Sequence, residues 1–210
     1  MKVRRRCGGN NWGEIDEQQG GYEGYGRGHL SSSDVNASEA RALNADEADV
    51  VGQGLARQRG QVENALQGLD RWNQGDQDLF EGVFGDTSPA ARAHGAEVLG
   101  RMQALNGSYS AENFRVDTGY DGIAYVDPTN PNRIYLGERY FELGGNSQAG
   151  VLVHEMSHFN VIGATDDITL AGAGALSRTL MLPPTQALGN AQSYSIYVGC
   201  STVGGLSQCM

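Results

Sequence analysis

The stretch Val151-Leu152-Val153-His154-Glu155-Met156-Ser157-His158-Phe159-Asn160-Val161-Ile162-Gly163-Ala164-Thr165-Asp166-Asp167 joins a short apolar run to two histidines four residues apart and a pair of aspartates. Val151, Leu152, Val153 and Met156 predict a helix that opens after the Gly144-Gly145-Asn146 break, with Ser147 as its cap. Residues four apart on an α-helix are rotated by about 40°, so the imidazoles of His154 and His158 leave one face roughly a turn apart. That spacing lets two neutral imidazole nitrogens reach one Zn2+ at about 2.0–2.1 Å. Glu155, next to the first histidine, stands where a carboxylate takes a proton from water and passes it to a departing amine. The competing reading of the five-residue pattern is a helix with two solvated histidines. The predicted helix, the extended segment before it and the glycine turn after it favour the metal site.

A catalytic zinc needs a third protein ligand and an open fourth position. No glutamate or histidine follows His158, which leaves the carboxylates of Asp166 and Asp167. Gly163 is expected to end the helix and turn the chain back, bringing one of them to the metal. The residues alone leave both aspartates open and define a site of two histidines and one aspartate.

Outward from this stretch the chain divides by composition. Residues 37–106 are dominated by Ala, Leu, Glu, Gln and Arg, and Val51, Leu55, Val62, Leu66 and Leu69 recur mostly at three- to four-residue steps, as one buried helix face requires. Leu79, Phe80, Val83 and Phe84 belong to a second helix ending near Gly85-Asp86. Ser88-Pro89 predicts an N-cap followed by proline at the first helical position, opening a helix that stops at Asn106-Gly107. His94 on that helix reads as an ordinary side chain. Between Asn113 and Leu143, Phe114-Arg115-Val116, Ile123-Ala124-Tyr125-Val126 and Ile134-Tyr135-Leu136 are short β-type runs around the turn cluster 127–132, and Tyr140-Phe141-Glu142-Leu143 either finishes a strand or starts a helical turn. The expected fold is therefore α+β, with an N-terminal helical subdomain, a small mostly antiparallel sheet, the histidine-bearing helix and C-terminal helices. Residues 1–35, rich in Gly, Asn, Gln and Ser, read as a flexible tail with Arg4 to Arg6 solvated. Residues 36–210 read as the folded domain, with its helical part at 37–106 and its sheet and catalytic part at 110–198.

Composition limits the partners. Among 210 residues, 15 Lys and Arg stand against 25 Asp and Glu, a net charge of -10 that speaks against nucleic acid or an anionic membrane, since both need a cationic surface. No run approaches the roughly 18–20 apolar residues that cross a bilayer, so membrane insertion is not expected. Cys7, Cys200 and Cys209 are too few for a disulfide scaffold; a Cys200–Cys209 loop and free thiols are the two alternatives. The start Met1-Lys2-Val3-Arg4-Arg5-Arg6 is basic but lacks an apolar core after it, so it is not a complete Sec signal peptide. The expectation is a monomer that is secreted, or delivered into a target cell, by a route without such a signal. The alternatives are a cytoplasmic protein or an excerpt of a longer chain.

The motif and its surroundings resemble the aspzincin metalloendopeptidases, the family of deuterolysin and the peptidyl-Lys endopeptidases, in which H-E-x-x-H is followed by G-T-x-D. An ungapped match puts Thr165-Asp166-Asp167 on T-x-D and implies Asp167 as the third ligand; taking Gly163 as the motif glycine would imply Asp166. Ile134-Tyr135-Leu136, Phe141 and the run-in Ser147-Gln148-Ala149-Gly150 look like the family's strand and approach, and Asn190-Ala191-Gln192-Ser193-Tyr194 is similar to its N-A-D-S-Y helix. The resemblance covers about residues 110–198. It implies a zincin-like fold, one catalytic Zn2+ held by His154, His158 and Asp167, Glu155 as the catalytic base, and a protein or peptide substrate lying extended in a cleft.

Three departures qualify what the resemblance implies. The family tyrosine that stabilises the oxyanion falls on Leu170, which has no donor; Tyr194 or Tyr197 is the expected substitute. The acidic residues by which lysine-specific members hold a substrate ammonium fall on Gln192 and Ser195, so substrate binding there is expected without strict lysine preference. Gly137 stands where a fungal cysteine is expected, and the missing framework fits delivery without Sec-dependent oxidative folding. The function expected is zinc-dependent hydrolysis of peptide bonds in proteins, by a secreted effector or toxin. The alternative is a weakened or inactive peptidase-derived zinc-binding interaction module.

Overall fold

A computed structural model describes residues 40–168 and 175–203. The expected tail, Leu170, Cys7 and Cys209 lie outside the described residues. Helix α1 (Ala45–Arg71) starts at a reciprocal capping box, in which the Asn44 side chain accepts from the Glu47 amide and Glu47 accepts from the Asn44 amide. Trp72 adopts a left-handed φ of 47° and ends it. A second box, Asn73 with Asp76, opens α2 (Gln74–Phe84), which Gly85 closes at φ 71°. Helix α3 (Pro89–Asn106) begins as its sequence predicts, with the Ser88 hydroxyl accepting from the Ala91 amide and Pro89 in the first turn. Val51, Leu55, Val62 and Leu69 of α1 are buried, as their spacing requires. His94 is exposed.

A short 3-10 turn (Ala111–Asn113) leads into β1 (Phe114–Val116), followed by β2 (Ala124–Val126) and β3 (Ile134–Leu136). The sheet order is β1-β3-β2. Strand β3 pairs parallel with β1 and antiparallel with β2, so the sheet is mixed rather than mostly antiparallel. The cause is topological: β1 and β2 leave a gap one strand wide, and β3 returns through it in the direction of β1. Arg41 adds an antiparallel bridge to Val116 on the far side of β1, whereas among the described residues nothing pairs with the outer edge of β2. Phe114, Val116, Ala124, Val126, Ile134 and Leu136 enter the core, while Arg115, Tyr135 and Tyr125 line up on the other face. Glu138–Glu142 form a 3-10 turn, not the end of a strand.

Helix α4 (Gly145–His158) then runs through the middle of the molecule, buried at every residue from Gln148 to His158. Its cap is Gly144, one residue before the helix, and Ser147 lies inside the first turn instead of capping it. Helix α1 comes close enough that a β-carbon on Gly54 would stand 2.7 Å from the Tyr140 hydroxyl and 3.6 Å from the Gln148 Cβ, so only glycine fits. The opposite flank is covered by α7 (Ala191–Ser201), reached through α5 (Ala175–Thr179) and α6 (Pro184–Leu188). Tyr194 and Tyr197 of α7 pack on Phe84 at 5.3 and 5.4 Å, and Tyr197 meets Phe80 edge-on at 5.4 Å. Fully buried rings of this kind contribute about 1.5–3 kcal/mol each. They clamp α7 to α2 and thereby hold it alongside α4. No described helix is long and apolar enough to cross a membrane.

Candidate metal centre

His154 and His158 leave α4 on one face, with ring centroids 4.9 Å apart and planes at 85°. Asp167 closes the group: its Oδ1 lies 2.9 Å from Nε2 of His154 and 3.5 Å from Nε2 of His158. The three donor atoms fall within 4.8 Å of one another.

The loop that delivers Asp167 is tied to the helix it follows. Nδ1 of His158 donates to the Thr165 carbonyl at 2.7 Å, which sets the tautomer and leaves Nε2 with its lone pair toward the centre. The Thr165 hydroxyl meets the Ser157 hydroxyl at 2.7 Å, Ser157 donates to the His154 carbonyl at 2.7 Å, and the Thr165 amide donates to the Ser157 carbonyl. Helix α4 ends at His158 itself, and the left-handed residue of the turn is Ala164, at φ 48°, not Gly163 as the sequence led one to expect. Nothing in the sequence marks Thr165 and Ser157 as supporting residues, because neither belongs to a metal-ligand residue type.

Backbone pairing orients the two aspartates differently. The Asp166 amide donates to Gly189, and its carbonyl accepts from Ala191, a parallel bridge that docks this segment on the start of α7. The Ile168 amide donates to the Asn190 side chain. In extended backbone successive side chains point to opposite sides, so pinning Asp166 and Ile168 turns Asp167 toward the histidines.

Burial dominates the electrostatics. Glu155, 5% exposed, is pushed up to about 7 by burial; the His154 side chain pulls it down and the Asp167 carboxylate pushes it up. Burial works against the charged form of His154, but the hydrogen bond and charge of Asp167, followed by Glu155 and a hydrogen bond with Gln192, leave its pKa raised. A positive charge is thus favoured among these groups. Two imidazole nitrogens and a carboxylate oxygen are a donor set typical of catalytic zinc, and an orienting carbonyl behind His158 is the usual support for such a ligand. The residues present fit the ion that the motif implies.

The other anticipated site residues are placed differently. Gln192 is partly exposed and reaches His154. Ser195 is 3% exposed and donates to the Gly150 carbonyl of α4 at 3.0 Å, a helix-to-helix contact. The Tyr194 hydroxyl donates to the Leu188 carbonyl at 3.1 Å, and its ring is wholly buried against Phe84. Tyr197, one turn on, points to the same aromatic cluster, and its phenol lies in the field of Asp76, Arg71 and Arg92. Residues three apart share a helix face, and on α7 that face is turned to α2.

The aspzincin profile, described as lysine-specific metallo-endopeptidase, matches residues 71–199, a span that takes in α2 and α3 as well as the sheet and the metal centre. An extracellular protease of Aeromonas hydrophila is 38% identical over 78 residues, 36% of this chain and 22% of that protein. A peptidyl-Lys metalloendopeptidase of Armillaria mellea is 32% identical over 96 residues, 43% of this chain and 27% of the relative. The matched stretch therefore spans 22–27% of these relatives' own length. Among solved structures, a zinc peptidase from Grifola frondosa shares the fold with a TM-score of 0.64 at 23% identity, over 75% of this chain and 96% of that one.

Proposed function

The chain belongs to the aspzincin family, and on that premise we propose that it is a zinc-dependent endopeptidase acting on protein or peptide substrates. The observation that carries this reading is the convergence of His154, His158 and Asp167 next to the buried carboxyl of Glu155. Bound zinc supplies Lewis acidity, polarising the scissile carbonyl and making water a competent nucleophile near neutral pH. Glu155 takes a proton from the attacking water as the new carbon–oxygen bond forms, then delivers it to the amide nitrogen as the carbon–nitrogen bond breaks. His158 is held ready by Thr165, so the ligand frame requires little rearrangement when zinc arrives.

Gln192, a neutral amide at the centre, supports cleavage without strict preference for lysine. Secretion is supported by the extracellular relative, and a role as effector or toxin is proposed with it. Leu170, with no hydroxyl, motivates a second reading, a zinc-binding module without hydrolysis.

Incubation of the zinc-loaded protein with unfolded casein and a peptide library, with and without chelator, separates the two. Chelator-sensitive cutting that Glu155→Gln abolishes while zinc is retained supports the peptidase. Stoichiometric zinc with no cutting supports the module, and full activity of Glu155→Gln removes that residue from the mechanism.

A further inference from the structure

Tyr120 sits in the connection between β1 and β2, in a place the loop builds for it. The Tyr120 amide donates to the Asp117 carbonyl at 3.3 Å, and the Asp117 side chain accepts from the Gly119 amide at 3.1 Å. The ring stands edge-on to Tyr125, with centroids 4.8 Å apart and planes at 71°. It lies over Gly122 so closely that a β-carbon there would come within 2.3 Å of it. The ring therefore has one place to be.

Its hydroxyl is directed to the outer edge of β2. Because Gly137 donates to the Ile123 carbonyl, the alternation of the antiparallel ladder turns the peptide groups of Ala124 away from β3. The Tyr120 hydroxyl donates to that outward Ala124 carbonyl at 3.4 Å, a long contact that a better acceptor displaces at small cost. Strand β2 packs against α4, and its outer edge, unpaired among the described residues, is of the kind to which an extended peptide can add. Burial first, then the carboxylates of Glu155, Asp167 and Asp117, push the phenol up to about 12. The hydroxyl is held on the strand that packs against the histidine-bearing helix.

We infer that Tyr120 is a catalytic residue of the endopeptidase proposed above: its hydroxyl leaves the Ala124 carbonyl and donates to the scissile carbonyl oxygen as negative charge develops there. The assignment rests on that endopeptidase reading. It supplies from the β1–β2 connection the donor that neither Leu170 nor the packed Tyr194 provides.

The test compares zinc-loaded parent, Tyr120→Phe and Gly122→Ala. The readouts are steady-state cleavage of a peptide, mapping of the bonds cut, and calorimetric binding of a phosphinic peptide that mimics the charged tetrahedral carbon. Losing one such donor lowers kcat by about 10²-fold, so Tyr120→Phe is expected to show that loss with KM near the parent's. It should also bind the phosphinic peptide at least about tenfold more weakly, with zinc content and melting temperature unchanged. Gly122→Ala keeps the hydroxyl but displaces the ring, and kcat should fall in the same direction. Tyr120→Phe with kcat and phosphinic affinity within about twofold of the parent overturns the assignment and leaves the endopeptidase standing, because the expected loss is about 10²-fold. A change confined to which bonds are cut overturns it too. A parent that holds zinc but neither cuts peptides nor binds the phosphinic peptide overturns the endopeptidase reading, and the Tyr120 role falls with it.

Discussion

His158 donates its Nδ1 proton to the carbonyl of Thr165, 2.7 Å away, and this bond joins the end of α4 to the loop that carries Asp167. One interaction therefore orients a ligand and places another two residues further on. The Thr165 hydroxyl, against Ser157, holds the same loop from its side-chain end.

Thr165→Val removes that hydroxyl while keeping the carbonyl that His158 uses. Loss of a buried hydrogen-bonded hydroxyl costs about 1–3 kcal/mol of stability. Supports behind metal ligands are worth about 10- to 100-fold in affinity, so zinc binding should weaken within that range. Competition against a chelating dye and thermal denaturation measure the two effects. Parent-like zinc affinity would show that the loop needs no tie at Thr165.

The two aspartates should separate cleanly. Asp167→Asn is expected to lose stoichiometric zinc, since a neutral amide oxygen replaces the one anionic donor among the three. Asp166→Asn should retain it, because Asp166 is docked through its main-chain groups to Gly189 and Ala191. Elemental analysis of both purified variants decides the matter, and the reverse pattern would move the third ligand to Asp166.

Ala164 holds a φ of 48°, a left-handed conformation that suits glycine. The strain for a residue with a β-carbon is about 1–2 kcal/mol, and glycine's extra freedom in the unfolded chain offsets roughly 0.4–1 kcal/mol of any gain. Ala164→Gly should therefore raise stability by about 0.5–1 kcal/mol in denaturant titration. A loss of stability would mean that the turn relaxes around alanine without strain.

Glu47 closes the first turn of α1, accepting from the Asn44 amide at 2.8 Å and pairing with Arg41. The hydrogen bond from Arg41 is the main reason its carboxyl sits below the ordinary value of 4.5; its partial burial works the other way. A lowered folded-state pKa means the stabilisation is fully present above the ordinary value and is lost as pH falls through the folded one. Glu47→Gln should cost about 1 kcal/mol or less near neutral pH. The difference from the parent should shrink toward zero in acid, where both side chains are neutral. A penalty of equal size at both pH values would assign the effect to packing rather than charge.

Much of the centre was legible in the residues alone, and the reason is range. Whether His154, Glu155 and His158 share one surface depends on a helical period spanning a single turn, and Ser88-Pro89 caps α3 through contacts within three residues. Such features need nothing from the remainder of the chain. Strand positions were legible from apolar runs; their order was not, because the insertion of β3 between β1 and β2 depends on connections the runs do not encode.

Long-range packing sets where side chains point once distant segments have docked. That Asp167 rather than Asp166 faces the histidines follows from main-chain bonds to Gly189 and Ala191, more than twenty residues away. The inward placement of Tyr194 and Ser195 follows from which faces of α7 meet α2 and α4. The placement of the Tyr120 hydroxyl at the outer edge of β2 follows from a loop folded over Gly122. The chemistry available at the centre is legible in the residues, because residue type and helical spacing are local. The direction of each further side chain was settled by packing, because a residue in extended or helical backbone faces whatever its neighbours' hydrogen bonds leave open.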